Sequence, residues 1–272
     1  MKRITAILSK VVFLLLIVFS TAFCGAPSVH AASSELIVFA AASMTNTLEE
    51  IAVLYANANP NVTLTFNFDS SGTLRTQIQE GAECDVFISA AQLQMNQLDI
   101  TAPDTVVDFV ASNTRFDILE NRVVLAVPSG NPKNINSFKD MADMLLGGEI
   151  LMAIGNRDVP VGQYTLQILE YFNLDEQLLA TWGKLTYGSN VREVTTHISE
   201  ASVDCGIIYA TDAFNAGLTI VDHATTNMCG RVIYPAAVLK TSKNPQAARA
   251  FLEYLTSAEA MAVFESVGFS KP

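Results

Sequence analysis

Histidine is scarce in this 272-residue chain, which contains only three. A serine hydrolase needs a histidine and a carboxylate beside its nucleophile. His197 shares a predicted helix face with Glu193 and Glu200, and His223 lies in the polar segment DHATTN. The chain also has no GxSxG elbow, no GxxxxGK phosphate loop and no HExxH pair. A secreted serine hydrolase is therefore only a remote alternative, and we predict a protein that is not an enzyme.

Long apolar runs are also rare. The longest, VVFLLLIVFSTAF at residues 11–23, has thirteen residues, fewer than the roughly 20 that a membrane-spanning helix needs. Three basic residues precede it, and residues 29–31 place small side chains where a signal peptidase reads them. We predict that residues 1–31 are a signal peptide and that the protein is exported to the periplasm or the extracellular face of the membrane. A lipid anchor on Cys24 is the alternative, although Phe23 is bulkier than the residue usual there.

Positive charge is limited as well. The chain has 16 Lys and Arg against 27 Asp and Glu, a formal net charge of -11. Removing the signal peptide deletes three basic residues and no acidic ones, which takes the charge to -14. Such a surface does not attract nucleic acid, which we exclude as a partner. About 240 residues remain, enough for one large domain or for two lobes.

Cysteine occurs four times, and one copy lies in the predicted signal peptide. Cys84, Cys205 and Cys229 remain, without any CxxC pair that would indicate a metal or redox site. An exported protein permits one disulfide with one thiol left over. We favour a bond between Cys205 and Cys229, and three buried thiols are the alternative.

The sequence does contain a regular alternation of short apolar runs and amphipathic stretches. Strands are predicted at residues 36–40, 62–68, 85–89, 122–128, 149–155, 205–209 and 234–240. Helical periodicity follows most of them, which predicts largely parallel sheets with helices on both faces. Open parallel sheets bind ligands beyond the carboxyl ends of their strands. The residues that follow each strand are therefore the candidates for a binding site.

These strand ends carry hydroxyls, small residues and turn formers. They are Ser43, Ser70-Ser71-Gly72, Ser89, Pro160-Val161-Gly162 and Ser189-Asn190-Val191. The start of a helix presents free backbone N–H groups and a partial positive charge of about half a unit, which suits an anion. Each of these residues alone is an ordinary helix cap. Several of them converging on one cleft would bind an oxyanion without any lysine or arginine.

The segments VFAAASMTNTLEEIA, SSGTL, GAECDVFISA, DVPVGQYT, GIIYATDA and YPAAVL occur in this order. Together they resemble the extracytoplasmic molybdate-binding proteins that serve ABC importers, over about residues 36–269. The resemblance implies an α/β protein with the two-lobed, type II periplasmic-binding-protein fold. Each lobe would be a mainly parallel sheet flanked by helices, with the ligand cleft between the lobes. We assign residues 33–127 and 231–272 to the first lobe and 128–230 to the second.

The resemblance also implies the ligand and its partners. Molybdate or tungstate would be captured without any cofactor and delivered to the membrane subunits of an ABC permease, with a signalling receptor as the alternative recipient. We expect a monomer. Carried over by position, Ser43 would donate its hydroxyl and backbone N–H groups, and Ser71 matches the serine of the family's second serine-rich turn. Val161, where the family usually has alanine, and Val191 would donate backbone N–H groups, and Tyr209 its phenol.

Asp69 bears on which oxyanion is bound. Molybdate at neutral pH is a dianion without a proton, so a site made only of donors recognises it. Phosphate keeps a proton and needs an acceptor, which a carboxylate in the cleft would supply. We interpret Asp69 as a surface or capping residue that points away from the cleft. Phosphate and sulfate are the alternative ligands, and discrimination against sulfate would depend on cavity size.

Overall fold

The computed structural model describes residues 33–103 and 105–272. The predicted signal peptide and Cys24 lie outside these residues. The described strands are β1 (Ser34–Ala41), β2 (Val62–Asp69), β3 (Val86–Ile88), β4 (Phe116–Asn121), β5 (Val123–Val127), β6 (Met152–Gly155), β7 (Leu185–Gly188), β8 (Cys205–Tyr209), β9 (Thr219–His223) and β10 (Val232–Val238).

The strands form two five-stranded sheets with the orders β2-β1-β3-β10-β4 and β7-β6-β8-β5-β9. β1 is parallel to β2 and β3, and β6 is parallel to β7 and β8. In each sheet one strand, β10 or β5, is antiparallel to both of its neighbours. The two sheets therefore share one topology, and the predicted mainly parallel, two-lobed α/β fold is confirmed.

Helices cover the sheets, and the first of them follows a 3-10 turn at Ala42–Met44. They are α1 (Thr45–Ala58), α2 (Ser71–Gln79), α3 (Gln92–Asn96), α4 (Phe138–Leu146), α5 (Pro160–Tyr171), α6 (Glu176–Thr181), α7 (Val191–Ser199), α8 (Ala210–Asn215), α9 (Thr226–Cys229), α10 (Pro245–Leu255) and α11 (Ala258–Ser266). Every residue of β3, β5, β6, β8 and β10 is buried, as expected of strands covered on both faces. In the part of the chain that is described, none of the helices is both long and apolar enough to cross a membrane.

The chain crosses between the sheets where β4 ends at Asn121 and β5 begins at Val123. It returns between β9 and β10, where Gly230 has a φ of 74°. The predicted lobe boundary at residue 127 puts β5 with the first sheet, whereas the pairing of β5 with β8 and β9 puts it in the second. The apolar run RVVLAVP gives no sign of which sheet receives it. The remaining lobe boundaries stay a prediction.

Three strands, β4, β7 and β9, are absent from the sequence prediction. All three lie at sheet edges and are only partly buried. An edge strand needs no continuous apolar run, so its sequence is hard to distinguish from a loop. His223, placed in a polar segment by its sequence, is in fact the last residue of β9.

The three cysteines of the described chain are free and buried. The predicted disulfide between Cys205 and Cys229 is therefore wrong, and the alternative of three buried thiols is correct. Cys205 lies inside a fully buried strand, β8, whereas Cys229 ends α9. Burial raises the pKa of the Cys229 thiol to about 11 and also raises the pKa values of Cys84 and Cys205, so all three remain protonated.

Candidate functional site

Strand ends from both sheets converge on one small cavity. Its border includes the five residues assigned by resemblance, Ser43, Ser71, Val161, Val191 and Tyr209. Each of them lies at or just beyond the carboxyl end of a strand, in the order β1, β2, β6, β7 and β8. The cavity volume is about 10 Å³ for the centre of a water-sized sphere, which is about the space that one water molecule needs. Ser89, another strand-end candidate, does not border it.

Ser43 lies in the 3-10 turn between β1 and α1, and it is 4 % exposed. The N-cap of α1 is Met44, which makes no side-chain cap bond. The reading of Ser43 as a helix cap is therefore wrong, because the 3-10 turn delays the start of the helix. The Ser43 Oγ instead lies 2.8 Å from the phenol oxygen of Tyr234 on β10.

Ser71 is the first residue of α2, directly after the N-cap Ser70. The Ser70 Oγ accepts the N–H of Thr73, whereas the Ser71 Oγ accepts the N–H of Ala90 at 2.9 Å. A serine that accepts one hydrogen bond keeps its own hydrogen for another acceptor. The first N–H groups of a helix also have no acceptor within the helix. Ser71 therefore offers the cavity both a hydroxyl and a backbone donor.

Two helix starts of the second lobe face the same cavity. Pro160 is the first residue of α5 and Val161 the second, so the Val161 N–H falls among the free donors of the first turn. Val191 begins α7, where the side chain of the N-cap Asn190 accepts the next two N–H groups along the chain. Both valine side chains are buried, so at each position the backbone supplies the polar group.

Tyr209 ends β8 and is 1 % exposed. Within residues 33–103 and 105–272, its phenol oxygen has no hydrogen-bond partner. Burial raises the pKa of Tyr209 well above its ordinary value, so the phenol keeps its proton and is a donor. An unsatisfied buried hydroxyl costs about 1–3 kcal/mol. A ligand oxygen in the cavity would remove that cost, and this makes Tyr209 the strongest indication of a ligand.

The charged groups around the cavity are negative. Among the described residues that border it, none is a lysine or an arginine, and one is Asp69. Asp69 is half-buried at the end of β2, and its Oδ1 accepts the N–H of Ser70 at 2.6 Å. Asp69 therefore borders the cavity, and the expectation that its carboxylate points away from the cleft stays a prediction. In the described part of the chain, no cluster of three or more His, Cys, Asp or Glu side chains could hold a metal ion.

The family model for bacterial extracellular solute-binding proteins matches residues 36–270. This chain belongs to that family. The molybdate-binding protein ModA of Haemophilus influenzae is 32% identical and the alignment covers 88% of this chain and 91% of that protein. YvgL of Bacillus subtilis, a candidate ABC transporter substrate-binding lipoprotein, is 33% identical over 86% of each chain. The periplasmic molybdate-binding protein of Azotobacter vinelandii, 23% identical, shares the fold with a TM-score of 0.74 over 87% of this chain and 99% of that one.

Membership makes this chain an ABC transporter substrate-binding protein and excludes an enzyme. Neither His197 nor His223 borders the cavity, in agreement with that exclusion. The extracellular character of the family supports the predicted export. Anchoring through Cys24 stays a prediction.

The lobes of this solute-binding protein touch each other around the cavity. A Cβ atom built on Gly72 of α2 would lie 2.1 Å from the carbonyl oxygen of Asp158, just before α5. Side-chain hydrogen bonds also join the lobes, among them Arg192 Nη1 to Asn46 Oδ1 at 3.0 Å and Gln94 Nε2 to Gln163 Oε1 at 3.2 Å. The structure therefore shows the two lobes closed on the cavity.

Some residues of the site are missing from the sequence prediction. Ala41, Ala42, Ala90 and Val159 border the cavity through small or apolar groups, which no pattern of polar residues indicates. Tyr234 contacts Ser43 from β10, and the two residues are 191 positions apart. The segment YPAAVL, which carries Tyr234, was the only signal available for it.

Proposed function

We propose that this solute-binding protein captures molybdate, and tungstate with it, as a dianion in the cavity between its lobes. The observation that carries the proposal is the buried phenol of Tyr209, which has no partner among the described residues and lines a cavity that the neutral donors of Ser43, Ser71, Val161 and Val191 also border. ModA of Haemophilus influenzae, a molybdate-binding protein, is 32% identical to this chain, which supports the same ligand class.

The donors suit an anion without a proton. Ser43 and Ser71 contribute from the first lobe, and Val161, Val191 and Tyr209 from the second. A tetrahedral dianion has four oxygens that only accept hydrogen bonds, so every donor finds an acceptor. Helices α2, α5 and α7 also begin at the cavity, and their partial positive charges stabilise an anion there.

Asp69 is the residue that favours the alternative ligand. A carboxylate at the border of the cavity would accept the proton of hydrogen phosphate and would repel a dianion. One carboxylate oxygen of Asp69 already accepts the N–H of Ser70. We therefore keep phosphate as the second candidate, and sulfate as a smaller dianion that the same donors accept.

Calorimetric titration of the mature protein with molybdate, tungstate, sulfate and phosphate at neutral pH tests the proposal. We expect one tight site for molybdate and tungstate, and far weaker binding of sulfate and phosphate. Phosphate binding as tight as molybdate binding would refute the assignment. Sulfate binding as tight as molybdate binding would leave a dianion site without selectivity by size.

Delivery to a permease is the second part of the proposal. Closure of the lobes would create the surface that the membrane subunits of an ABC importer recognise. The test is ATP hydrolysis by the permease complex in vesicles, which should rise with the loaded wild-type protein. A variant that binds no anion should fail to raise it. Equal stimulation by both proteins would contradict this step.

A further inference from the structure

A chain of buried hydrogen bonds runs from the crossover between the sheets to the cavity. Asn121, the last residue of β4, donates from its Nδ2 to Thr211 Oγ1 at 3.0 Å and to Tyr234 Oη at 3.3 Å. Its Oδ1 accepts the N–H of Arg122 at 2.8 Å. Because the backbone N–H can only donate, this last bond fixes the orientation of the amide, and the Nδ2 of Asn121 must point towards Tyr234.

The orientation of Asn121 determines the direction of the next bond. The Tyr234 phenol accepts from Asn121, so its own hydrogen needs an acceptor. The Ser43 Oγ lies 2.8 Å away and is the acceptor that the described residues offer. Burial raises the pKa of Tyr234 well above its ordinary value, so the phenol keeps the hydrogen that it donates. Tyr234 therefore donates to Ser43, and the hydroxyl hydrogen of Ser43 is left for the cavity.

We propose that Tyr234 is a positioning residue that turns the hydroxyl hydrogen of Ser43 towards the cavity, so that the site favours a fully deprotonated oxyanion over a protonated one. The proposal rests on oxyanion binding in this cavity. A serine hydroxyl without such a neighbour can rotate and accept a hydrogen bond from its ligand. Here the Ser43 oxygen already accepts from Tyr234 and its hydrogen points to the cavity. An anion hydroxyl facing Ser43 would meet that hydrogen or would have to reach the one remaining lone pair of the oxygen, and either arrangement would destabilise that complex.

Both lobes contribute residues to this series of hydrogen bonds. Ser43 and Tyr234 belong to the first sheet and its turn, whereas Thr211 lies in α8 after β8 of the second sheet. Asn121 connects them at the point where the chain crosses over. All four side chains are at most 4 % exposed, so water does not compete for these bonds. The direction of donation at Ser43 is therefore built into the scaffold.

The test compares Tyr234→Phe with the wild type by calorimetry, using molybdate, sulfate and inorganic phosphate at pH 7. We expect the two dianions to bind about tenfold more weakly, and phosphate to keep or gain affinity, so the ratio of molybdate to phosphate affinity falls. Tyr55→Phe is the matched control, because Tyr55 is also buried but packs against Phe251 and Tyr254. This control should leave the ratio unchanged.

Asn121→Asp is the second variant. It reverses the direction of hydrogen-bond donation between Tyr234 and Ser43 without removing the phenol. A carboxylate at position 121 accepts from Tyr234, which frees the Tyr234 oxygen to accept from Ser43. Ser43 then offers the cavity an acceptor, and the affinity for phosphate should rise relative to the affinity for molybdate. An equal loss of affinity for all three anions in both variants would overturn the inference and leave Tyr234 with only a packing role. Absence of anion binding by the wild type would instead refute the proposed function.

Discussion

Replacing Gly72 by alanine tests whether binding depends on contact between the lobes. Gly72 is the second residue of α2, and a Cβ atom there would lie 2.1 Å from the carbonyl oxygen of Asp158. Real Cβ atoms essentially never come within 3.0 Å of such an atom. The two segments would therefore have to separate by about 0.9 Å, since neither is a flexible side chain and packed backbone yields little.

The expected loss of molybdate affinity follows from the two donor residues that lie beside the clash. Ser71 precedes Gly72, and Val161, the second residue of α5, lies three residues after Asp158, so both donors move with the displaced segments. A hydrogen bond of about 2.8 Å that lengthens by about 0.9 Å passes the limit of a useful bond. Each buried donor left unpaired costs about 1–3 kcal/mol. We expect molybdate affinity to fall by about 10-fold to 100-fold.

Calorimetry measures the affinity, and small-angle scattering measures whether the ligand still compacts the protein. Thermal unfolding without ligand should be unchanged or slightly improved, because alanine is a better helix former than glycine. Gly147→Ala after α4 is the control, since its Cβ would come within 3.0 Å only of the flexible end of the Glu149 side chain. If Gly72→Ala bound molybdate as tightly as the wild type and compacted equally, closure by this contact would be refuted.

Three further predictions concern single polar groups. Ser43→Ala and Tyr209→Phe should each weaken molybdate binding by about 1–3 kcal/mol in calorimetry, and unchanged affinity in both would place the site elsewhere. Asp69→Asn removes a negative charge at the cavity border and should maintain or strengthen dianion binding, whereas loss of binding would identify Asp69 as the acceptor for a protonated anion. Burial raises the pKa of Asp212 from 3.8 to about 7. The folded state therefore holds a proton that the unfolded state releases, and stability should fall as pH rises from about 4 to 7, by on the order of a few kcal/mol. Asp212→Asn should flatten this trend in urea unfolding at several pH values, and identical slopes would contradict the assignment.

The strand ends could be read from the sequence because buried parallel strands leave a strong pattern. Leu36, Val38 and Ala40 of β1 are wholly buried, and small residues follow directly before Ser43. The pattern locates the turn but says nothing of its hydrogen bonds. Ser43 therefore looked like a helix cap, although its hydroxyl bonds to Tyr234.

The buried hydrogen bonds that position Ser43 could not be predicted from the sequence pattern. Asn121 and Tyr234 are 113 positions apart, and their contact exists only because β10 returns between β3 and β4. Periodicity reports which face of a strand is buried, and not which distant strand lies beside it. Asp69 shows the same limit, since the exposure of a strand-end carboxylate depends on how closely the second lobe approaches.

The acidic character of the chain is compatible with an anionic ligand because the relevant distances differ. Surface carboxylates act across water, where the Debye length at physiological salt is about 8 Å, whereas the donors act at contact distance in a buried cavity of lower dielectric constant. Two carboxylates lie too close to be screened, Asp69 at the cavity border and Asp212 in a pocket that also contacts Ser43. The first is held by the N–H of Ser70, and the second takes up a proton near neutral pH because it is buried. Affinity should therefore depend on how closely closure holds each donor to the anion, and only weakly on net charge.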